Sequence, residues 1–147
     1  MADIKWSAFP DVGDLEPGDI IVGLRAGSNV RFTAPVFGSD VVVVTSGSQA
    51  MTSNIVYIAN FGTLVTFTLP TISAVGDRLS VVGQGAGGWI ITQAASQEII
   101  IGDQHSTIGT MGSIASTNQF DSLNLICVTA NDVWISIGGP QGNLTYV

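Results

Sequence analysis

The sequence predicts an all-β fold: an antiparallel β-sandwich or jelly-roll-like domain, preceded by a short N-terminal hairpin and extended segment. Three observations carry this. Short runs rich in Val, Ile, Thr and aromatic residues recur at intervals of about 8–12 residues, the rhythm of sandwiches and barrels. Turn-forming groups separate them, among them Asn60-Phe61-Gly62, Pro70, Gly76-Asp77, Gly102-Asp103, Asn131-Asp132 and Gly138-Gly139-Pro140. No stretch sustains apolar residues at spacings of three and four, so the helical period is missing.

Taken in order, residues 1–35 form an irregular leader and a hairpin. Glu16-Pro17-Gly18-Asp19 is a turn, 20–24 a strand, Ala26-Gly27-Ser28-Asn29 a second turn, and 30–33 the returning strand. Trp6 and Phe9 are apolar anchors in the leader, and Pro10 argues against a long helix through it. A linker at 36–40 sets the boundary between an attachment segment, 1–38, and a β-rich body, 39–147. Strands are expected in the body at 41–45, 55–60, 64–69, 79–82, 89–93, 98–101, 123–129, 133–137 and 143–147. In 64–69, Val65, Phe67 and Leu69 face one way and Leu64, Thr66 and Thr68 the other. Residues 106–118, rich in Ser, Thr, Gly and Met, read as a long loop for function or subunit contact.

The stretch 79–93, LSVVGQGAGGWIITQ, stands out. Gly83, Gly85, Gly87 and Gly88 are expected to reverse the chain tightly between two strands of a hairpin, with Trp89 anchoring it in the core. Gly83, Gly85 and Gly88 also satisfy the dinucleotide-binding pattern G-x-G-x-x-G. That chemistry needs a helix after the glycines. The continuation WIITQ is strand-like, so no nucleotide and no other cofactor is expected.

Composition narrows the function. The 147 residues are 46% hydrophobic and only 10% charged, against a usual charged fraction of about 25%. Much apolar surface is therefore expected to be covered by other protein. The formal net charge is −7 with only four Lys and Arg, the wrong balance for phosphate contacts, so nucleic acid is not an expected partner. No apolar run reaches the roughly 18 residues of a membrane helix, and the N-terminus lacks a secretory signal pattern, so folding in a reducing cytoplasm is expected. The single Cys127 excludes an intrachain disulfide and reads as a small buried hydrophobe.

Two resemblances point to a family. Ser7-Ala8-Phe9-Pro10, Leu15-x-x-Gly18-Asp19, Gly27 and Arg31-x-Thr33 resemble a leader found near the N-terminus of tailed-phage virion proteins. Residues 41–147 resemble a β-rich domain of phage and giant-virus fibre-like or surface proteins. The matching residues are Tyr57-Ile58-Ala59-Asn60, Leu69-Pro70, Ala74-Val75-Gly76-Asp77, Val81-Val82-Gly83-x-Gly85-Ala86-Gly87-Gly88-Trp89, Ser116-Thr117-Asn118 and Gln141-Gly142-Asn143-Leu144-Thr145. The resemblance implies a non-enzymatic virion structural or adhesive module, often a homotrimer, located in the virion and bound to other virion proteins. With a short leader and no long shaft, a capsid decoration, cap or head-fibre protein fits better than a free-standing tail fibre. Trp6, Phe9, Pro10, Arg25 and Arg31 are the expected attachment or interface residues. The trimer is expected to join apolar strand residues from 57–60, 64–69 or 123–128 across its axis.

Catalytic and metal readings have weak sequence support. His105 is the only histidine, too few for a zinc site with one cysteine, and no G-x-S-x-G elbow accompanies it. Asp3, Asp11, Asp14, Glu16 and Asp19 lack the spacing of a calcium loop. Glu98, Asp103 and Asp121 are not paired by spacing as glycosidase carboxylates. Asn143-Leu144-Thr145 is a formal glycosylation site, expected to be unused without a secretory signal. Trp6, Trp89, Trp134, Tyr57 and Tyr146 could stack on sugars, which makes a host-glycan adhesin the alternative reading. Trp89 and Trp134 are expected in the core or an interface instead.

Overall fold

The computed structural model describes residues 20–25, 28–33 and 40–147. The chain divides into two compact units, Met1–Gly38 and Ser39–Val147. In the first, β1 (Ile20–Arg25) and β2 (Ser28–Thr33) pair antiparallel from Ile20↔Thr33 to Arg25↔Ser28, near the limits expected for the hairpin.

The second unit is an all-β sandwich of two mixed sheets. Its strands are β3 (Asp40–Val44), β4 (Ser48–Ala50), β5 (Ile55–Ala59), β6 (Val65–Thr68), β7 (Arg78–Gly83) and β8 (Trp89–Thr92), followed by β9 (Glu98–Ile101), β10 (Gln104–His105), β11 (Ser113–Ser116), β12 (Ser122–Thr129), β13 (Val133–Ser136) and β14 (Leu144–Tyr146). One sheet has the order β10-β9-β13-β12-β7-β5-β3, the other β14-β11-β8-β6-β4.

The order reveals how the chain winds. From β3 to β8 it alternates between the sheets, one strand in each. Equivalent strands of successive turns then lie side by side and parallel: β3-β5-β7 in one sheet and β4-β6-β8 in the other. This is solenoid-like winding, in which each turn contacts its neighbours. The closing part differs. β12 adds antiparallel to β7, β13 to β12, and β11 to β8, while β9 pairs parallel with β13. β14 and β10 then end the two sheets with antiparallel strands.

Large apolar residues from both sheets meet between them. Tyr57, Val81 and Leu123 form one cross-strand row, and Cys127, Trp134 and Ile99 another. Val65 and Trp89, then Phe67, Ile91 and Ile114, answer them from the second sheet. All of these are essentially inaccessible. Tyr57 and Phe67 meet across the gap with ring centroids 5.5 Å apart, and the Thr52 N–H donates to the Tyr57 hydroxyl at 2.7 Å. The aromatic contact joins the sheets, and the hydroxyl keeps a polar partner despite burial.

The glycine segment is a correction to the expected hairpin. β7 and β8 belong to different sheets and do not pair, so residues 84–88 are a crossover. No helix follows, since β8 begins at Trp89. The glycines are needed because this crossover lies on the preceding one, residues 60–64, backbone against backbone. Gln84 and Gly85 N–H groups donate to the Ala59 carbonyl at 2.9 and 2.8 Å, and the Gly87 N–H to Phe61 at 3.1 Å. A Cβ on Gly85 would collide with the Phe61 backbone, and one on Gly87 with the Thr63 carbonyl. Gly88 adds a positive φ of 68°.

Two further differences concern short strands. β4, Ser-Gln-Ala, carries no apolar signal, and its parallel partner β6 supplies the pairing. β11 lies inside the expected 106–118 loop, where Ile114 is the one large buried residue and β8 and β14 flank it on both sides.

Gly87→Ala is expected to destabilise the body by about 1–3 kcal/mol or more, because backbone must shift against backbone. Gly62→Ala, where an added Cβ meets nothing within 4 Å, should have a much smaller effect. Urea unfolding of both variants checks the difference.

Candidate functional site

Residues singled out for chemistry are placed as follows. Trp6, Phe9 and Pro10 lie outside the described residues, as do Asp3, Asp11, Asp14, Glu16 and Asp19. Arg25 ends β1 opposite Ser28, and Arg31 sits in β2 opposite Val22. Gly83 ends β7 beside the backbone of Phe120 and Asp121.

Trp89 and Trp134 are wholly buried, so neither can stack on a sugar. Trp89 instead acts as a tie. Its indole N–H donates to the Asp121 carbonyl at 2.9 Å, and its backbone N–H to Ser116 Oγ at 2.8 Å. Asp121 is itself buried and organises the turn before β12. Its Oδ2 accepts the N–H groups of Thr117 and Asn118 at 2.9 and 2.8 Å. Its carbonyl also receives the Gly83 N–H at 3.0 Å. Phe120, next to it, has a φ of 71° and an exposed side chain, at 66%. A bulky residue at positive φ is an outlier, held here by its neighbours.

His105 Nδ1 lies 2.7 Å from Glu98 Oε1 on the surface. Ser106 turns inward. Its hydroxyl donates to Gln93 Oε1 at 2.6 Å and accepts the Ile99 N–H at 2.8 Å. Gln93 in turn donates to the carbonyls of Gln97 and Thr107, and Gln97 to that of Pro70. This buried network, not legible in the sequence, pins residues 106–112 to two crossovers. Every polar group in it that is removed from water has a partner, as burial demands. Among the described residues, no group of three or more His, Cys, Asp or Glu is arranged to hold a metal, and no helix is long and apolar enough to cross a membrane.

The same end of the sandwich carries an open depression of about 500 Å³, lined by Met51, Pro70, Ile72 and Asp77 among others. Asp77 stabilises its rim. Its Oδ2 accepts the Ala74 N–H at 3.0 Å, and its Oδ1 accepts Asn54 Nδ2 at 3.2 Å. Asn54 also receives the Arg78 N–H at 3.0 Å. The Ala74 N–H bond above all, and the Asn54 amide, hold the Asp77 carboxyl below its usual range.

The two outer faces of the sandwich differ. The five-stranded sheet presents Thr66, Ile90 and Ala115 in one row and Ala50, Thr68, Thr92 and Ser113 in the next. On the seven-stranded sheet, two outward rows are Val43, Ile58, Val82 and Ser122, and Val41, Val56, Ser80 and Asn124; a third runs through Arg78, Ile126, Ile135 and Ile100. Val41, Val43 and Val82 are 58%, 52% and 37% exposed.

No protein-family model matches this sequence, and comparison with curated proteins finds no significant relative.

Because the folded-state pKa of Asp77 is lowered, its stabilisation is present above the unfolded value of about 3.8 and fades as pH falls through the folded one. Asp77→Asn should therefore be less stable than the parent at neutral pH, with the gap narrowing at about pH 3 and below. Urea midpoints at the two pH values check the sign.

Proposed function

We propose that this protein is a non-enzymatic structural component of a virus particle: a trimeric capsid decoration, head-fibre or tail-fibre-like protein. Its first 38 residues attach it to another virion protein, such as the major capsid or a tail protein, and its β body is displayed outward. The observation that supports this best is where the distinctive motifs fall. Asn60 and Gly62 belong to the crossover on which Gly85 and Gly87 rest. Asp77 clamps the loop formed with Ala74. Thr117 donates through both N–H and hydroxyl to the Asn143 carbonyl, at 3.2 and 2.9 Å. Gly142 fits against the Asp121 carboxyl. These residues hold loops and crossovers in place through hydrogen bonds and close backbone contacts. A protein whose specific residues serve shape is suited to assembly and display.

A host-glycan adhesin is the second reading. It rests on Phe120, an exposed aromatic held rigidly beside Asn118 and Gln119, whose side chain donates to the Gln84 carbonyl at 2.7 Å. An apolar ring among amides is a feasible sugar platform.

Two outcomes are expected. A chain lacking residues 1–38, expressed during infection, should be missing from purified particles while the full chain is incorporated; equal incorporation would overturn the attachment role. On a glycan array, the full chain should give no signal that Phe120→Ala abolishes; such a signal would move the conclusion to the adhesin.

A further inference from the structure

The outer face of β3, β5 and β7 conflicts with its apparent exposure. Parallel strands are normally covered on both faces, and strands so covered read as continuous apolar runs. β3 contains Val41-Val42-Val43-Val44, and β5 is Ile55-Val56-Tyr57-Ile58-Ala59. Alternate residues of each are directed into the sandwich: Val44, Tyr57 and Ala59 are buried there. The others, Val41, Val43, Val56 and Ile58, together with Val82, point out. The β5 pair and Val82 are shielded only in part, and the β3 pair is more than half exposed. β3 is also a sheet edge, paired on one side only among the described residues. An apolar face continuous with a free edge is a liability unless something covers it.

We infer that this face is covered by further copies of the same chain; the inference rests on the oligomer proposed above and locates its interface. Charge selects the occupant. The chain carries a net charge of −7, so two copies repel wherever their acidic groups come together. Neither of the two outward rows through Val41 and Val43 contains a charged residue, and the one charge beside them on the same face of β7 is the basic Arg78, so copies can approach here without opposing carboxylates. An acidic protein meeting a basic partner would be expected to present carboxylates, and this face has none. Its composition follows interface anatomy, with an aliphatic centre bordered by Ser80, Ser122 and Asn124. Of the apolar residues of 64–69, Val65, Phe67 and Leu69 already fill the core, and Leu64 lies in the crossover before β6, outside this sheet. Within 57–60, the outward residue is Ile58.

The test uses the full chain at micromolar concentration in sedimentation velocity. The parent should sediment as a closed oligomer. The double variant Val41→Asp, Val43→Asp should sediment as a monomer with an unchanged circular dichroism spectrum, its dissociation constant raised at least about a hundredfold by unpaired charges in a dry contact. Thr68→Asp, on the opposite face, should remain oligomeric. As a second measurement, mild oxidation should give disulfide-linked dimers of Val43→Cys but not of Thr68→Cys, whether or not the Asp variant folds. A monomeric parent, as expected if residues 1–38 or another protein covers the face, overturns the inference; so does an oligomer insensitive to the β3 substitutions. A monomer that still enters virus particles would sink this inference while leaving the virion role intact.

Discussion

The stacking of one crossover on the next is the constraint on which the body depends. Parallel in-register strands require each turn to lie a strand's spacing, about 4.8 Å, from the one before. At the tightest point the backbone of residues 84–88 meets that of 60–64, and only glycine at 85 and 87 leaves room. The hydrogen bonds from Gln84, Gly85 and Gly87 to Ala59 and Phe61 extend the ladder through the bend. A side chain there would push the third turn away from the second and misalign Val81 with Tyr57 and Trp89 with Val65, the rows that fill the core.

The closing strands solve a different problem. A winding of stacked turns has free edges at both ends, and free edges recruit other strands. At one end β12, β13 and β9 extend one sheet, β11 and β14 extend the other, and short antiparallel strands finish both. Buried polar groups secure this end. Asp121 and Trp89 tie β12 to β8, and Gln93, Gln97 and Ser106 fasten the long loop before β11. These contacts are directional, so they favour one arrangement over the many that apolar burial alone would permit. The opposite end, β3 and β4, lacks comparable strands among the described residues. The two ends of the winding are therefore unlike: one is closed by added strands, and the other stops at β3 and β4.

The sequence by itself determined the fold class and most of the strands. Val-, Ile- and Thr-rich runs between Gly, Asn and Pro turns leave few alternatives to a sandwich, and alternation in 64–69 placed Val65, Phe67 and Leu69 inside correctly. The core positions of Trp89 and Trp134 were equally legible, because large apolar side chains on strands must be buried. Strand direction and partner were not. A glycine turn between two strand runs fits a hairpin and an inter-sheet crossover equally well, since both need a reversal; only the partners of β7 and β8 distinguish them. The winding left no sequence repeat because its turns differ in length, with in-register positions passing from Asp40 to Ile55 to Leu79. β4 and β11 are strands by virtue of their neighbours, through hydrogen bonds that their own side chains do not announce. The networks of Asp121 and of Gln93, Gln97 and Ser106 join residues distant in sequence, and the apolar outer face emerges only once register sets Val43, Ile58 and Val82 side by side. Local composition fixes which segments are strands; long-range pairing decides which surfaces they make.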